Sequence, residues 1–265
     1  MNKKILIPVD FSEYSIRACE IGFEYAGRSG AEVMLFHAYY KVFMKEEFNH
    51  FIQILTNKVS FGEIPAVKYD YTIREGVPDD EIIAYLKEYQ PTLVFMGTRG
   101  KSRKNIDLIG SVTAEIIERT KAPLLAVPED ISFQTLKEAE NIAFAVSFHE
   151  QELLAPFNHF LELIADYSPK IHLFNISASK NEWDEIRMVG VYELMKKHHP
   201  NMDIDFTLLN AGDRLNAIEQ FVREKRIDVI TLTTYRRNII TQIFNPSIAR
   251  RMLFHANTAL LVIPQ

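Results

Sequence analysis

The sequence predicts an α/β protein made of two tandem, open, mostly parallel five-stranded sheets flanked by helices. Three observations predict it. Short apolar runs alternate with helical spacing along the whole chain. The second half repeats the order of the first. The 265 residues suit two domains of ordinary size better than one.

Taken in order, residues 5–9 are a short apolar run of the kind buried on both faces of a parallel sheet. Residues 12–30 have helical spacing, with Ala18, Ile21, Phe23 and Tyr25 for a core face and Gly27 and Gly30 as punctuation. Residues 33–38 form the second strand. A helix is expected over 45–58, and 66–73 alternates like a strand; the segment 41–64 as a whole leaves room for only a short helix. Pro78-Asp79-Asp80-Glu81 opens the next helix, because proline and acids suit a first turn whose free N–H groups carry partial positive charge. Residues 93–96, 111–120 and 124–127 read as strand, helix and strand, closed by Pro128.

The repeat is explicit. Shifted by 136 residues, Gly76 falls on Gly212, Ile82 on Ile218, Thr98 on Thr234, Ser111 on Ser247 and Pro128 on Pro264. Near the start the shift is 137, placing Ile5 on Ile142, Val9 on Val146 and Phe23 on Phe160. This predicts domains over 1–134 and 135–265, joined through the polar stretch 129–140. The last strands, 124–127 and 260–263, are short and apolar, so the halves are expected to pack through them as a pseudo-dimer. Eight of the ten glycines lie in the first half, which points to a backbone-lined site there.

Composition excludes several classes of function. A net charge of −5 argues against a general nucleic-acid or membrane-surface binder. No apolar run approaches the ~20 residues that a spanning helix needs. Asp10 breaks the apolar N-terminal run too early for a signal peptide. Cys19 is the only cysteine, so a reduced, cytoplasmic setting is expected. It has no basic neighbour in its helical pattern and reads as packed and inert. The histidines at 149, 159, 172, 198, 199 and 255 lack metal-ligand spacing, and Trp183 fits no motif.

The chemistry-bearing segment runs from Gly97-Thr98-Arg99-Gly100-Lys101-Ser102-Arg103-Lys104 to Gly110-Ser111-Val112, between a strand and a helix. Gly97 and Gly100 allow main-chain N–H groups to face a ligand, and Gly110-Ser111 add the positive end of a helix. Such a segment suits an anion. A P-loop is excluded, since two residues instead of four separate Gly97 from Gly100-Lys101-Ser102. A dinucleotide fingerprint is excluded because the first turn, Pro8-Val9-Asp10-Phe11-Ser12, has no glycine.

The spacing Gly-x2-Gly-x9-Gly-Ser resembles the nucleotide motif of the universal stress protein family. So do the opening Lys4-Ile5-Leu6-Ile7-Pro8-Val9-Asp10-Phe11-Ser12, the run Leu35-Phe36-His37-Ala38, the pair Glu75-Gly76 and the closing Ala122-Pro123-Leu124-Leu125-Ala126-Val127-Pro128. The resemblance covers the chain as a tandem pair, motif-complete in the first half. It implies the adenine-nucleotide alpha hydrolase-like fold. It also implies an ATP site using Pro8, Asp10, Ala38, Met96, Gly97, Gly100, Gly110, Ser111 and Val112. Asp10 would meet a ribose hydroxyl or phosphate-bound Mg²⁺; by residue type it is equally a cap for the following helix. Ala38 and Met96 would flank adenine. His37 reads as a packed strand residue, because no second ligand type pairs with it.

In the second half Ser147 replaces Asp10, Thr233 replaces Gly97, Arg236 replaces Gly100 and Pro246 replaces Gly110. Side chains stand where backbone should approach phosphate, and proline removes a donor. Ser247, Arg236, Arg237 and Arg250 leave at most a weak anion site. The expectation is therefore a cytoplasmic stress-response ATP-binding protein with one competent domain. Its second domain would be structural or would bind an unidentified protein partner, and the chain itself could form a homodimer. The rivals are a slow ATP hydrolase or nucleotidyl-transfer enzyme and a ligand-free interaction scaffold. No second carboxylate or positioned base accompanies Asp10, which disfavours the enzyme.

Overall fold

The first strand, β1 (Lys4–Pro8), is wholly apolar after Lys4, and Ile5, Leu6 and Ile7 have no solvent exposure. That burial is possible because parallel neighbours flank it on both sides: β2 (Glu32–Tyr39) and β4 (Leu93–Gly97). A computed structural model describes residues 3–98, 110–131, 136–146, 148, 150–177, 182–210, 214–234 and 258–264. The chain divides into two compact units, 1–136 and 137–265.

In the first unit the strand order is β3-β2-β1-β4-β5, with β3 at Tyr69–Glu75 and β5 at Leu124–Val127. Every pairing is parallel. The order reverses at β1, whose neighbours β2 and β4 lead to helices on opposite faces. A crevice therefore opens at the carboxyl ends of β1 and β4. Helix α1 (Glu13–Ser29) begins at the N-cap Ser12 and stops at Gly30, which takes the left-handed conformation at φ 67°. It lies across β4 and β1 and buries Cys19 completely, so burial pushes that thiol far above its ordinary pKa and keeps it protonated.

Helix α2 (Lys45–Ser60) agrees with the helix expected over 45–58, two residues longer at its end, and corrects the expectation that 41–64 has room for only a short one. It fills sixteen residues, and its buried Phe48, Phe51 and Leu55 recur at helical spacing to cover the sheet. Helices α3 (Pro78–Tyr89) and α4 (Ser111–Arg119) complete the unit, with proline at the start of α3 as expected. Arg119 in the last turn of α4 reaches Asp80 in the first turn of α3 at 3.0 Å.

The second unit repeats the plan. Its strands are β6 (Asn141–Ala145), β7 (Lys170–Ser177), β8 (Ile204–Asn210), β9 (Val229–Thr234) and β10 (Ala259–Pro264). They run parallel in the order β8-β7-β6-β9-β10. Helices α5 (Glu150–Leu163), α6 (Glu182–His198) and α7 (Arg214–Lys225) connect them. Phe144, Phe157 and Phe160 form the aromatic centre of its core.

Candidate functional site

After β1 the chain leaves the sheet through Val9, Asp10 and Phe11. Val9 extends the ladder: its N–H donates to the Phe36 carbonyl at 2.8 Å. Its carbonyl accepts from His37 Nδ1 at 2.8 Å, which sets the ring's tautomer. Phe11 adopts the left-handed region at φ 64°, uncommon for a residue with a side chain. Its ring lies 4.2 Å from His37 and 5.5 Å from Phe51, so α2 and β2 together hold the turn. His37 is thus a packed residue with a structural hydrogen bond, as its sequence context suggested.

This turn positions Asp10. Its Oδ1 accepts from the Ser12 hydroxyl at 2.6 Å and the Ser12 N–H at 3.2 Å. Ser12, in turn, accepts from the Ser15 N–H and caps α1. The expectation that Asp10 caps the helix is corrected here. Ser12 has the extended backbone, φ −84° and ψ 163°, that a cap requires, and Asp10 lies two residues earlier. Asp10 orients the cap and is the acid at the crevice.

Gly97 ends β4 against α1. A Cβ there would stand 2.7 Å from Tyr14 Cβ, 2.8 Å from its carbonyl carbon and 2.9 Å from its carbonyl oxygen. Backbone meets backbone, so only glycine fits. Thr98 donates to the Val127 carbonyl at 3.0 Å, and Gly110 N–H donates to the Thr98 carbonyl at 2.9 Å. Thr113 Oγ1 donates to the Gly97 carbonyl at 2.9 Å, tying the first turn of α4 to the end of β4. Gly110 is the N-cap of α4 and offers no side-chain acceptor. The first-turn N–H groups thus gain no acceptor from their cap residue and lie at the positive end of the helix.

These elements enclose a cavity of about 360 Å³. Phe36 and Ala38 from β2, Met96 from β4, and Pro78 and Ile82 from α3 form an apolar wall. Asp10, Ser15, Ser111 and Thr113 form a polar end, beside the backbone of Gly97 and Gly110. Pro8, Asp10, Ala38, Met96, Gly97, Gly110, Ser111 and Val112, all named from the sequence, line this one cavity. Gly100 lies outside the described residues. Sequence reasoning missed Val9, Ser15, Phe36, Pro78, Ile82 and Thr113. Two signals could have found some of them. Phe36 shares a strand face with Ala38, two residues on. Pro78 and Ile82 lie one helical turn apart just after Glu75-Gly76. Among the described residues no group of three His, Cys, Asp or Glu could hold a metal ion.

In the second unit the frame of the turn recurs. Val146 N–H donates to the Phe174 carbonyl at 2.9 Å, and Asn175 Nδ2 donates to the Val146 carbonyl at 2.7 Å. Thr233 stands on β9 opposite Ile263 of β10, in the position that corresponds to Gly97. Ser147, Arg236, Arg237, Pro246, Ser247 and Arg250 lie outside the described residues.

Comparison with known proteins adds the following. A profile of the universal stress protein family matches residues 1–128. The universal stress protein MJ0531 of Methanocaldococcus jannaschii is 30% identical over 144 residues, covering 47% of this chain and 81% of that protein. The universal stress protein MJ0577 of the same organism is 24% identical over 154 residues, covering 48% of this chain and 95% of that protein. The crystal structure of a universal stress protein from Archaeoglobus fulgidus superposes with a TM-score of 0.70 at 16% identity. It covers 99% of this chain and 96% of that one, a likeness of fold along the whole length.

Proposed function

The chain belongs to the universal stress protein family, and on that premise we propose that its first unit binds ATP in the cavity between β1, β4, α3 and α4. The second unit serves as a structural or partner-binding companion. The observation that carries this reading is the convergence of Asp10, Gly97, Gly110 and Ser111 on one cavity with an apolar wall. The residues present fit the ligand. Phe36, Ala38, Ile82 and Met96 offer a flat apolar surface to a base. The first turn of α4 offers main-chain donors and a positive dipole end to phosphates. Asp10 would hold a ribose hydroxyl or a phosphate-bound Mg²⁺. Gly100, with the cations that follow it, belongs to the phosphate end of the proposed site on sequence grounds. The protein would act in the cytoplasm as a stress-response nucleotide holder, showing partners a surface that depends on the bound nucleotide.

The test is calorimetric titration of the intact chain with ATP and Mg²⁺. The expected result is saturable binding that Gly110→Val abolishes. Equal affinity in the Gly110→Val protein would overturn the site. Hydrolysis is expected to be slow, since binding a phosphate does not stabilise its transfer. Turnover in the ordinary enzymatic range of about 1–1000 per second, lost in Asp10→Ala, would replace this reading with the hydrolase.

A further inference from the structure

Trp183 is the only tryptophan of the chain. It lies near the start of α6 and is 67% exposed, followed by Ile186 at 60% and Val189 at 46%. The same helix buries Met188, Val191 and Met195 on its other side. Its exposed residues 183, 186, 190, 193 and 197 recur at alternating intervals of three and four. That is the seam with which a helix packs on another helix. Gly190 stands at the centre of the seam, and a Cβ built there meets nothing within 4 Å. The fold of its own unit therefore does not require a glycine, and glycine weakens a helix interior. A bare position in the middle of an exposed seam suits the close approach of a second backbone.

The charges along the seam say which backbone. Its first half carries Trp183 and Ile186 with Arg187 beside them, and its second half carries Glu193 and Lys197. Reversed about Gly190, the pattern complements itself. Lys197 of one copy then meets Trp183 of the other, a cation over an indole face. Glu193 of one copy meets Arg187 of the other. Arg187 is well exposed, and among the described residues it lies 3.5 Å from Asp184 and 5.9 Å over the Phe148 ring. We propose that α6 is a self-docking face through which two copies of this chain pair antiparallel about Gly190. A two-fold axis requires such a self-complementary patch. A 17-residue helix spans only ~25 Å, so the dimer is weak and depends on concentration. The nucleotide cavity plays no part in the pairing.

The experiment is sedimentation velocity over a concentration series, read in parallel with tryptophan fluorescence, for which Trp183 is the only source. The expected result is a monomer–dimer equilibrium whose emission moves to the blue as the dimer fills. Trp183→Ala and Gly190→Glu should each weaken the dimer about tenfold or more, because each change enters the interface twice. Arg187→Glu and Glu193→Arg should each weaken it singly, and the double exchange should restore it. Each variant is first shown to unfold at the parent temperature. A chain that stays monomeric at its highest soluble concentration would overturn the proposal. So would a dimer insensitive to Gly190→Glu, or one that the double charge exchange fails to restore.

Discussion

The two units solve the same turn with different side chains. In the first, the Val9 carbonyl is held by His37; in the second, the Val146 carbonyl is held by Asn175. The two hydrogen bonds differ by a tenth of an ångström, as do the two backbone bonds beside them. The end of the neighbouring strand has not been kept in the same way. Gly97 admits Tyr14 of α1 to backbone contact, whereas Thr233 carries a side chain at the matching place. In the first unit α1 packs along β4; in the second, α5 makes its main sheet contact with β10. Side-chain hydrogen bonds that shape the frame can be exchanged between residue types. Close backbone approach cannot, because it leaves no room for an alternative.

The largest effect expected from this difference is in nucleotide stoichiometry. Titration of the intact chain should give one ATP per chain, and Gly110→Val should leave none. Losing two or three hydrogen bonds to an anion costs several kcal/mol at about 1.5–3 each. Two equivalent sites on the intact chain would place a second site in the second unit and end the asymmetry.

Next comes Gly97→Ala. The new methyl would meet the Tyr14 backbone, which moves only if α1 moves with it. Overpacking of this kind costs about 1–3 kcal/mol and should distort the polar end of the cavity. The reciprocal change, Thr233→Gly, should cost no more than about 1 kcal/mol, the ordinary penalty of glycine in a strand. Chemical denaturation of both variants checks the pair. Equal costs would mean that the two strand ends are equivalent after all.

A finer comparison exchanges the two donors. His37→Asn should be tolerated within about 1 kcal/mol, since Asn175 already performs that task in the other unit. His37→Ala should cost about 1–3 kcal/mol, because it orphans the Val9 carbonyl and removes the ring beneath Phe11. If asparagine proves as costly as alanine, the ring contact and not the hydrogen bond holds the turn.

Much of this was legible in the residues themselves. β1, β5 and α1 announced themselves through short apolar runs, Ser12 and Gly30, because local chemistry decides them. The reason for Gly97 was not legible, since it depends on Tyr14, more than eighty positions away. Asp10 and Ser12 are both cap-forming types two residues apart, and only the backbone angles choose between them. Ser15 looks like any helix residue until α4 and β4 are placed beside it.

The smallest expected effect concerns protonation, and it too separates the units. His172 of β7 corresponds to Met34 of β2, two residues before the matched pair Phe174 and Phe36. The ring is 3% exposed, with Nδ1 2.7 Å from Asp205 and Nε2 3.0 Å from the Asn141 amide. Burial, the largest influence, opposes the charged ring; Asp205 favours it, and Lys225 and Lys170 oppose it again, so the net direction is downward. The folded pKa of His172 therefore lies below its ordinary value. His199 is held down in the same direction by burial and by His198. A histidine lowered in the folded state leaves the unfolded chain to bind the proton first. Its stabilising contribution is present above the unfolded pKa of about 6.5 and is lost as pH falls from there toward the folded value. One such proton can change stability by at most about 1.4 kcal/mol for each pH unit crossed. Denaturation at pH 7, 6 and 5 should show stability falling with pH. His172→Met, which copies the first unit, should flatten part of that slope and leave the share belonging to His199. Ring titration by NMR supplies the direct check. A His172 that titrates above 6.5 in the folded protein would mean that Asp205, and not burial, governs the ring, and its share of the slope would reverse sign.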